Sequence, residues 1–322
     1  MSDSFRGLSE AQQAERLEVL GRNALEAYDI EVREVTLLSS DWNCVFRVDT
    51  EAGPLALRIN VPVPGGRAAT QEAETSFLDA LAEGTTLTVP RPVINRDGAS
   101  LTIASAPGVP ESRECVLFSW VPGDDIAEHA SGENWALLGE LMATLHTFAE
   151  SWDAPADLQT LTYDRVFHYE PCTLFDGGAL GEHAALLREA LERTDGRIAR
   201  EIQGGLLITH GDLHGWNVKL HEGRAHPIDF EDMQWATPLL DASTSLFYIW
   251  GREDYAALFE GFRSGYARSR PWLEREEGEV ERLLFSRGFD LLNYVHGQYG
   301  AEAKLFGRLL DKSVALARIA LG

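Results

Sequence analysis

The chain has 322 residues, 44% of them hydrophobic, which is enough for a sizeable core and, at roughly 150 residues per domain, for two domains. Its 28 basic and 51 acidic residues leave a net charge of −23, a field that disfavours nucleic acid and anionic membrane as partners. No run of about 18 apolar residues reads as a membrane span, and the opening MSDSFRGLSEAQQAERLEVL lacks the basic start and apolar core of a signal peptide, so a cytoplasmic protein is expected.

Ser9 followed by Gln12 is a capping-box start, and Leu17, Leu20, Ala24 and Tyr28 recur at helical spacing, predicting a leading helix over 9–29. VREVTLLSS, CVFRVDT and PLALRIN are β-rich runs separated by the turn sequences SDWN and EAG, which suit antiparallel hairpins. After VPVPGG a helical period runs from Ala68 to Glu83 through Phe77, Leu78 and Leu81, ended by Gly84 and Pro90. SLTIAS and ECVLFSWV complete a small sheet of about five strands. Pro122 and Gly123 then break the pattern, giving a boundary between 1–121 and 122–322. Beyond it helices are expected at 132–150, 179–202, 239–268 and 272–320, the last interrupted near Gly300.

Two features of the composition narrow the chemistry. Cys44, Cys115 and Cys172 are odd in number and form no C-x-x-C pair, so they read as reduced, buried thiols. Lysine occurs only at 219, 304 and 312, so arginine carries nearly all the positive charge and no lysine chemistry is available in the first two hundred residues.

The densest polar chemistry is ITHGDLHGWNVKL at 208–220, which sets His210, Asp212, His214 and Asn217 directly after an apolar run and before a hairpin turning at Glu222-Gly223. It reads as a metal cluster, as an H-x-D-x-H hydrolase arrangement, or as a catalytic loop whose aspartate and asparagine have different tasks. The hydrolase arrangement needs further histidine-rich ligands, whereas His129, His146, His168, His183 and His296 are scattered singly. In a phosphotransferase the carboxylate of Asp212 would take or orient an acceptor hydroxyl proton. The amide oxygen of Asn217 and the carboxylate of Asp229, returned by the hairpin, would hold Mg²⁺, which keeps six oxygens and needs few from protein.

HGDLHGWNV, PIDFEDMQWATPLLDAS, VLFSWVPGDD, LGELMATLHTF and QEAETSFLDALAEGTTLTVPRPV, by their order and spacing along about residues 32–250, resemble the aminoglycoside phosphotransferase family, including its branches similar to homoserine kinase and to the bacterial stress response kinase. The resemblance implies an α+β, protein-kinase-like two-lobed fold, with a small antiparallel sheet and one helix holding nucleotide in the first lobe and a mostly helical second lobe. It implies ATP, with GTP as an alternative, Mg²⁺, and transfer of a phosphoryl group to a hydroxyl. The acceptor is expected to be a small molecule, with a serine or threonine of a protein as the alternative; a metal-dependent phosphohydrolase and a non-catalytic nucleotide-binding scaffold are kept as further readings. Oligomeric state is not indicated by the sequence.

By the same resemblance Arg58 in PLALRIN stands where the family commonly has a lysine that grips the α- and β-phosphates. A guanidinium can serve there, although alternation in LALRI also allows an exposed strand residue. Glu74, on the helix face of Phe77, Leu78 and Leu81, is the expected partner in preference to Glu72. Ser40 and Asn43 are candidate phosphate contacts in a loop that equally fits a plain hairpin. Ser119 to Val121 would offer backbone groups to the base, with Trp120 or Phe118 as apolar walls. His210 is expected to fix the loop through backbone hydrogen bonds, Asp232 to face the acceptor or brace the loop, Asp241 to tie the following helix to the loop, His146 to be a core histidine, and His214 to be packing or substrate-side. Asp124, Asp125 and Glu128 suit a cationic acceptor or a solvated helix start, and Tyr248, Trp250, Asn293, Tyr294 and His296 are expected to rim an acceptor pocket.

Overall fold

The first helix begins where Ser9 caps it: the Ser9 hydroxyl accepts the Gln12 N–H, and the Gln12 side chain accepts the Ser9 N–H. In the computed structural model, which describes Phe5 and residues 7–40, 43–60 and 70–322, this helix is α1, Glu10–Leu25. It stops short of the expected residue 29. The N–H of Arg96 and its guanidinium take the carbonyls of Ala27 and Tyr28, so the chain after Leu25 is committed to a neighbouring loop. Asp41 and Trp42 of the SDWN turn, the VPVPGG stretch and the expected helix start at Ala68 lie outside the described residues.

The chain divides into two units, residues 1–66 with 71–122, and residues 67–70 with 123–322. In the first, β1 (Val32–Ser39), β2 (Cys44–Thr50), β3 (Gly53–Ile59), β4 (Thr102–Ala104) and β5 (Arg113–Ser119) form an antiparallel sheet in the order β1-β2-β3-β5-β4. Strand alternation sends Cys44, Phe46, Val48, Leu57, Ile59, Cys115 and Leu117 to one face, where they meet Leu17, Leu20 and Ala24 of α1 and Tyr28 just beyond it. Gly21 permits that approach, because a Cβ there would stand 2.9 Å from Leu57 Cδ2. The other face is covered by α2 (Gln71–Gly84) through Phe77, Leu78 and Leu81, and this is why Arg58, pointing opposite to Leu57 and Ile59, is buried and not the exposed strand residue that alternation alone allowed.

In the second unit β6 (Asp124–Asp125), β8 (Val218–His221) and β9 (Arg224–Pro227) make one small antiparallel sheet, and β7 (Leu207–Thr209) pairs with β10 (Gln234–Ala236) in another. The β8–β9 hairpin turns at Glu222 and Gly223, both at positive φ (50° and 73°), the pattern of a two-residue turn matched to strand twist. Helices α3 (Gly132–Ser151), α4 (Ala184–Glu201), α5 (Pro238–Phe247), α6 (Tyr255–Tyr266), α7 (Glu279–Tyr299) and α8 (Lys304–Leu321) surround them. Helices α3 and α6 approach through small residues. A Cβ on Gly139, Gly261 or Gly265 would run into the backbone of Phe262, Gly132 or Ala136 respectively.

Two helix expectations are corrected here. The run 239–268 is two helices, because Gly251 adopts φ 87° and ends the helical path after α5, with Thr237 capping that helix and Pro238 in its first turn. The helix expected from 179 starts at Ala184, since Gly181 at φ 52° cannot lie within it. Among the described residues no helix is long and apolar enough to cross a membrane.

Leu20 is fully buried between α1 and the sheet. Leu20→Ala should therefore cost about 2–5 kcal/mol, read as a lower denaturant midpoint with an unchanged slope; a loss below about 0.5 kcal/mol would show that α1 does not share the core of the first unit.

Candidate active site

In the first unit, Arg58 and Glu74 form a two-pronged ion pair, Nη1 to Oε1 at 3.0 Å and Nη2 to Oε2 at 2.5 Å, with side chains 6% and 2% exposed. Gln71 Oε1 accepts a further bond from Nη2 at 3.2 Å, and the guanidinium lies 5.0 Å from the centre of the Phe118 ring. Glu72 is exposed. Because both ions are out of water, the pair holds only through matched geometry and added hydrogen bonds, which an arginine fork supplies and a single ammonium would not. Ser119 spends its N–H on the Arg91 carbonyl and accepts the Arg91 N–H on its hydroxyl, so the groups it has in common with the expected base contact are already partly engaged. Val121 is buried, Trp120 lies under the Arg47 guanidinium, Ser40 is exposed, and Asn43 is half-buried.

In the second unit the loop after β7 is held by backbone bonds from its own histidine. His210 is buried, and burial pulls its imidazole below the ordinary histidine range, against the opposing pull of Asp241. A neutral ring fits its two contacts: Nε2–H donates to the Ile228 carbonyl at 2.9 Å, and Nδ1 accepts the Asp212 N–H at 3.3 Å. The Ile228 N–H in turn donates to the Asn217 carbonyl at 2.9 Å. One residue, Ile228, therefore stitches the two ends of the loop together immediately before Asp229, which sits at φ 65°. Gly211 (φ 82°) passes so close to the Asp232 carbonyl that any Cβ would collide with it, and its N–H donates to Asp241 Oδ1 at 3.0 Å. Behind Asp241 a buried series continues: His146 Nε2 at 2.9 Å from its Oδ2, Tyr266 Oη at 2.9 Å from His146 Nδ1, and Arg270 Nε donating to Tyr266 Oη at 3.1 Å.

Asn217 donates its side-chain nitrogen to the Asp212 carbonyl at 3.0 Å, which leaves its amide oxygen for a cation. That oxygen and the Asp229 carboxylate are the hard oxygen donors that would suit Mg²⁺. Neither imidazole of the motif is disposed as a third ligand. His214 Nδ1 accepts the Trp216 N–H at 3.1 Å and Nε2 faces Asp212 Oδ2 at 3.5 Å. Among the described residues no group of three or more His, Cys, Asp or Glu side chains could hold a metal ion.

The carboxylate of Asp212 is gripped by Tyr248 and by Arg287 of α7, a residue that the sequence reading did not single out. Arg287 Nη2 and Tyr248 Oη both donate to Asp212 Oδ1 at 2.8 Å, and Arg287 also donates to Tyr248 Oη from Nη2 at 2.8 Å and from Nε at 3.2 Å. Burial pushes the Asp212 carboxyl up, but Arg287, His214 and Tyr248 outweigh it and the net direction is down. Nearby acids go the other way. Burial and then the charges of Asp212, Glu231 and Asp290 raise Asp232 to about 7, while burial raises Asp290 and Glu170. Arg287, Asp290 and Tyr294 fall on one face of α7, in LLFSRGFDLLNY; two opposite charges three apart in an apolar helical run were the available signal.

Several expected site residues have other roles. Asn293 accepts the Thr173 N–H (2.8 Å) and donates to the Pro171 carbonyl (3.1 Å), and His296 Nδ1 pairs with Thr173 Oγ1 (2.8 Å), so both anchor the 171–173 loop. Trp250 stands by Lys312, which donates to the Phe247 carbonyl. Asp125 is neutralised by Lys219 at 2.6 Å across β6 and β8, which removes it as an acceptor contact. Cys44 and Cys115 are buried, and burial raises both thiols to about 12, which makes them poor nucleophiles.

A small antiparallel sheet with helices α1 and α2 packed on it, followed by a mostly helical unit bearing an H-G-D-x4-N loop and an I-D-F turn, is the kinase-like fold of phosphotransferases. The chain belongs to the phosphotransferase enzyme family, whose model matches residues 34–277. Among solved structures it is similar to a microcompartment-associated aminopropanol kinase (21% identity, TM-score 0.74, covering 94% of this chain and 95% of that one). It is also similar to the amicoumacin kinase hAmiN in complex with AMP-PNP, Ca²⁺ and Ami (15%, 0.71, 95% and 95%) and to a spectinomycin phosphotransferase with ADP and spectinomycin (11%, 0.58, 95% and 97%). At these identities the likeness is one of fold. Comparison with curated proteins gave no match.

Two outcomes follow from the electrostatics. Glu74→Gln leaves a guanidinium buried without its counter-charge and should lower stability by about 3–5 kcal/mol, seen in the denaturant midpoint. For Asp232 the folded pKa lies above the unfolded one, so its contribution is most favourable below about pH 4 and is lost as pH rises towards 7. Asp232→Asn should accordingly raise the melting temperature at pH 8 and leave it nearly unchanged at pH 4; equal shifts at both would refute a raised carboxyl.

Proposed function

We propose that the protein is a Mg²⁺-assisted, ATP-dependent kinase that moves the γ-phosphate to the hydroxyl of a small, positively charged molecule such as an amino alcohol or amino-sugar, with GTP as the alternative donor. The observation that carries this reading is the acidic neighbourhood of the Asp212 loop, in which Asp232 lies within electrostatic reach of Asp212, Glu231 and Asp290, and Glu170 within that of Asp290, an environment that favours an ammonium group near the reacting hydroxyl.

The roles divide between the two units. In the second, Asp212 orients the acceptor hydroxyl and receives its proton, while Asn217 and Asp229 are the residues that would hold the metal. When bound, Mg²⁺ neutralises charge on the transferring phosphoryl group. In the first, Arg58, kept in place by Glu74, binds phosphate, Ser119 to Val121 meet the base, and Ser40 and Asn43 contribute at the phosphates. Phosphoryl transfer through a loose transition state asks for positioning and charge balance, which is the kind of constraint the hydrogen bonds around Asp212 and Asn217 supply.

Mg-ATP at about a hundredfold excess over its Kd should stabilise the protein by about 2.7 kcal/mol, visible as a raised melting temperature that is absent without Mg²⁺ and lost in Asp229→Ala. A panel of hydroxyl-bearing amines, sugars and antibiotics assayed by nucleotide consumption should show turnover for cationic members, reduced at least a hundredfold by Asp212→Ala. Mg-independent stabilisation, or Asp212→Ala within a few-fold of wild type, would sink the assignment.

A further inference from the structure

We propose that Arg287 and Tyr248 are positioning residues for the transfer, holding Asp212 by one carboxylate oxygen, Oδ1, and so assigning the other, Oδ2, to the acceptor hydroxyl. This rests on the reading of Asp212 as the group that meets that hydroxyl.

Both donors converge on the same oxygen. Arg287 Nη2 and Tyr248 Oη each lie 2.8 Å from Asp212 Oδ1. The two donors also hold each other, since Tyr248 Oη accepts from Arg287 Nη2 and Nε while giving its own proton to Asp212. A closed triangle of this kind stops the carboxylate turning about its Cβ–Cγ bond, which a single hydrogen bond does not. The triangle is anchored on rigid parts. Arg287 belongs to α7, whose Leu283, Leu284, Phe289 and Leu292 are buried, and its Nη1 lies 3.9 Å from Asp290 Oδ2 one turn on. Tyr248 directly follows α5, and the Lys312 ammonium donates to the carbonyl of Phe247 just before it at 2.7 Å. Side-chain exposure of 18% for Arg287 and 14% for Asp212 leaves the pair only partly covered, so one side of the carboxylate remains reachable.

The remaining oxygen has a different neighbourhood. His214 Nε2 stands 3.5 Å from Oδ2, too long for a firm hydrogen bond, and its ring is placed by Trp216 N–H on Nδ1 and by the edge of the Tyr248 ring at 4.3 Å between centres. Oδ2 is thus bordered but not saturated. A carboxylate with one oxygen doubly occupied and the other bordered on one side presents a single lone-pair direction to an incoming hydroxyl. Freed from the triangle it would sample several, and a displacement of about 1 Å at a reacting group costs on the order of a hundredfold in rate.

The test uses the full-length protein with saturating Mg-ATP, 1-amino-2-propanol as the added acceptor and, separately, water as the acceptor. Arg287→Met should lower kcat about a hundredfold while KM for Mg-ATP stays within about twofold, Arg287→Lys should recover about tenfold of that loss, and Tyr248→Phe should lower kcat about tenfold. Tyr248→Phe removes one hydroxyl only and guards against a folding defect in the arginine variant. A thermal-melting cycle that needs no acceptor accompanies these: the loss of melting temperature caused by Arg287→Met should shrink by more than half in an Asp212→Asn background. Wild-type kcat in both Arg287→Lys and Tyr248→Phe, a rise in KM for Mg-ATP that matches the fall in kcat, or no coupling in the melting cycle would overturn the proposal. Activity retained by Asp212→Ala would instead overturn the reading of Asp212 on which it stands.

Discussion

The catalytic loop depends on a neutral imidazole. His210 can satisfy the Ile228 carbonyl and the Asp212 N–H together only with a hydrogen on Nε2 and a lone pair on Nδ1, and burial favours that uncharged form. A protonated ring would present a donor to the Asp212 N–H and lose that bond. The consequences extend well past the histidine. Ile228 is fixed through both its N–H and its carbonyl, and since it lies between Asn217, which it bonds, and Asp229, which it precedes, the two oxygen donors expected for the metal inherit its position. On its other side the loop is tied through Gly211 to Asp241, and from there to α3 and α6 through His146 and Tyr266. The segment that must be most accurately placed is thus braced by buried groups whose loss would leave polar atoms unsatisfied, a cost of about 1–3 kcal/mol each.

A net charge of −23 does not weigh against an anionic nucleotide as ligand, because at physiological salt the field of distant charges fades over roughly 8 Å. Local pairing decides. Arginine carries the interior cations here, at 58 against Glu74 and at 287 against Asp212. In each case the fork makes more than one bond and rests against an aromatic ring, Phe118 in the first and Tyr248 in the second. A lysine could reproduce the charge but not the two-pronged contact, so the departure from the commoner lysine at 58 is chemically coherent with the use of arginine elsewhere in the chain.

What was legible in the sequence was local. The Ser9–Gln12 cap, the Glu222-Gly223 turn and the alternation of β2 and β3 depend on residues a few positions apart, and the H-G-D-x4-N loop is a motif for the same reason. The break after α5 was not legible, because glycine marks no helix end by itself in this chain: Gly139, Gly261, Gly265 and Gly288 all lie inside helices, where they serve close packing. Nor could periodicity tell Asn293 and His296, which hold a loop, from Tyr248 and Arg287, which hold Asp212. A polar residue on a helix face looks alike whether it meets a carbonyl or a catalytic group. Arg287 reaches Asp212 across 75 positions of sequence, and that separation is set by tertiary packing alone.

The acidic surroundings of the loop create a conflict that Arg287 resolves. Buried carboxylates gathered in one place push one another towards protonation, as the rise of Asp232 to about 7 through burial, Asp212, Glu231 and Asp290 illustrates. A group meant to accept a proton from a hydroxyl cannot itself be protonated at rest. At Asp212 burial acts in the same upward direction, yet the adjacent guanidinium, with His214 and Tyr248, reverses it. Two aspartates in one electrostatic neighbourhood are thereby driven apart, one kept as an anion and the other able to hold a proton near neutrality. The separation comes from a cation on α7 together with His214 and Tyr248, so the ionisation of Asp212 is set by groups of the protein itself.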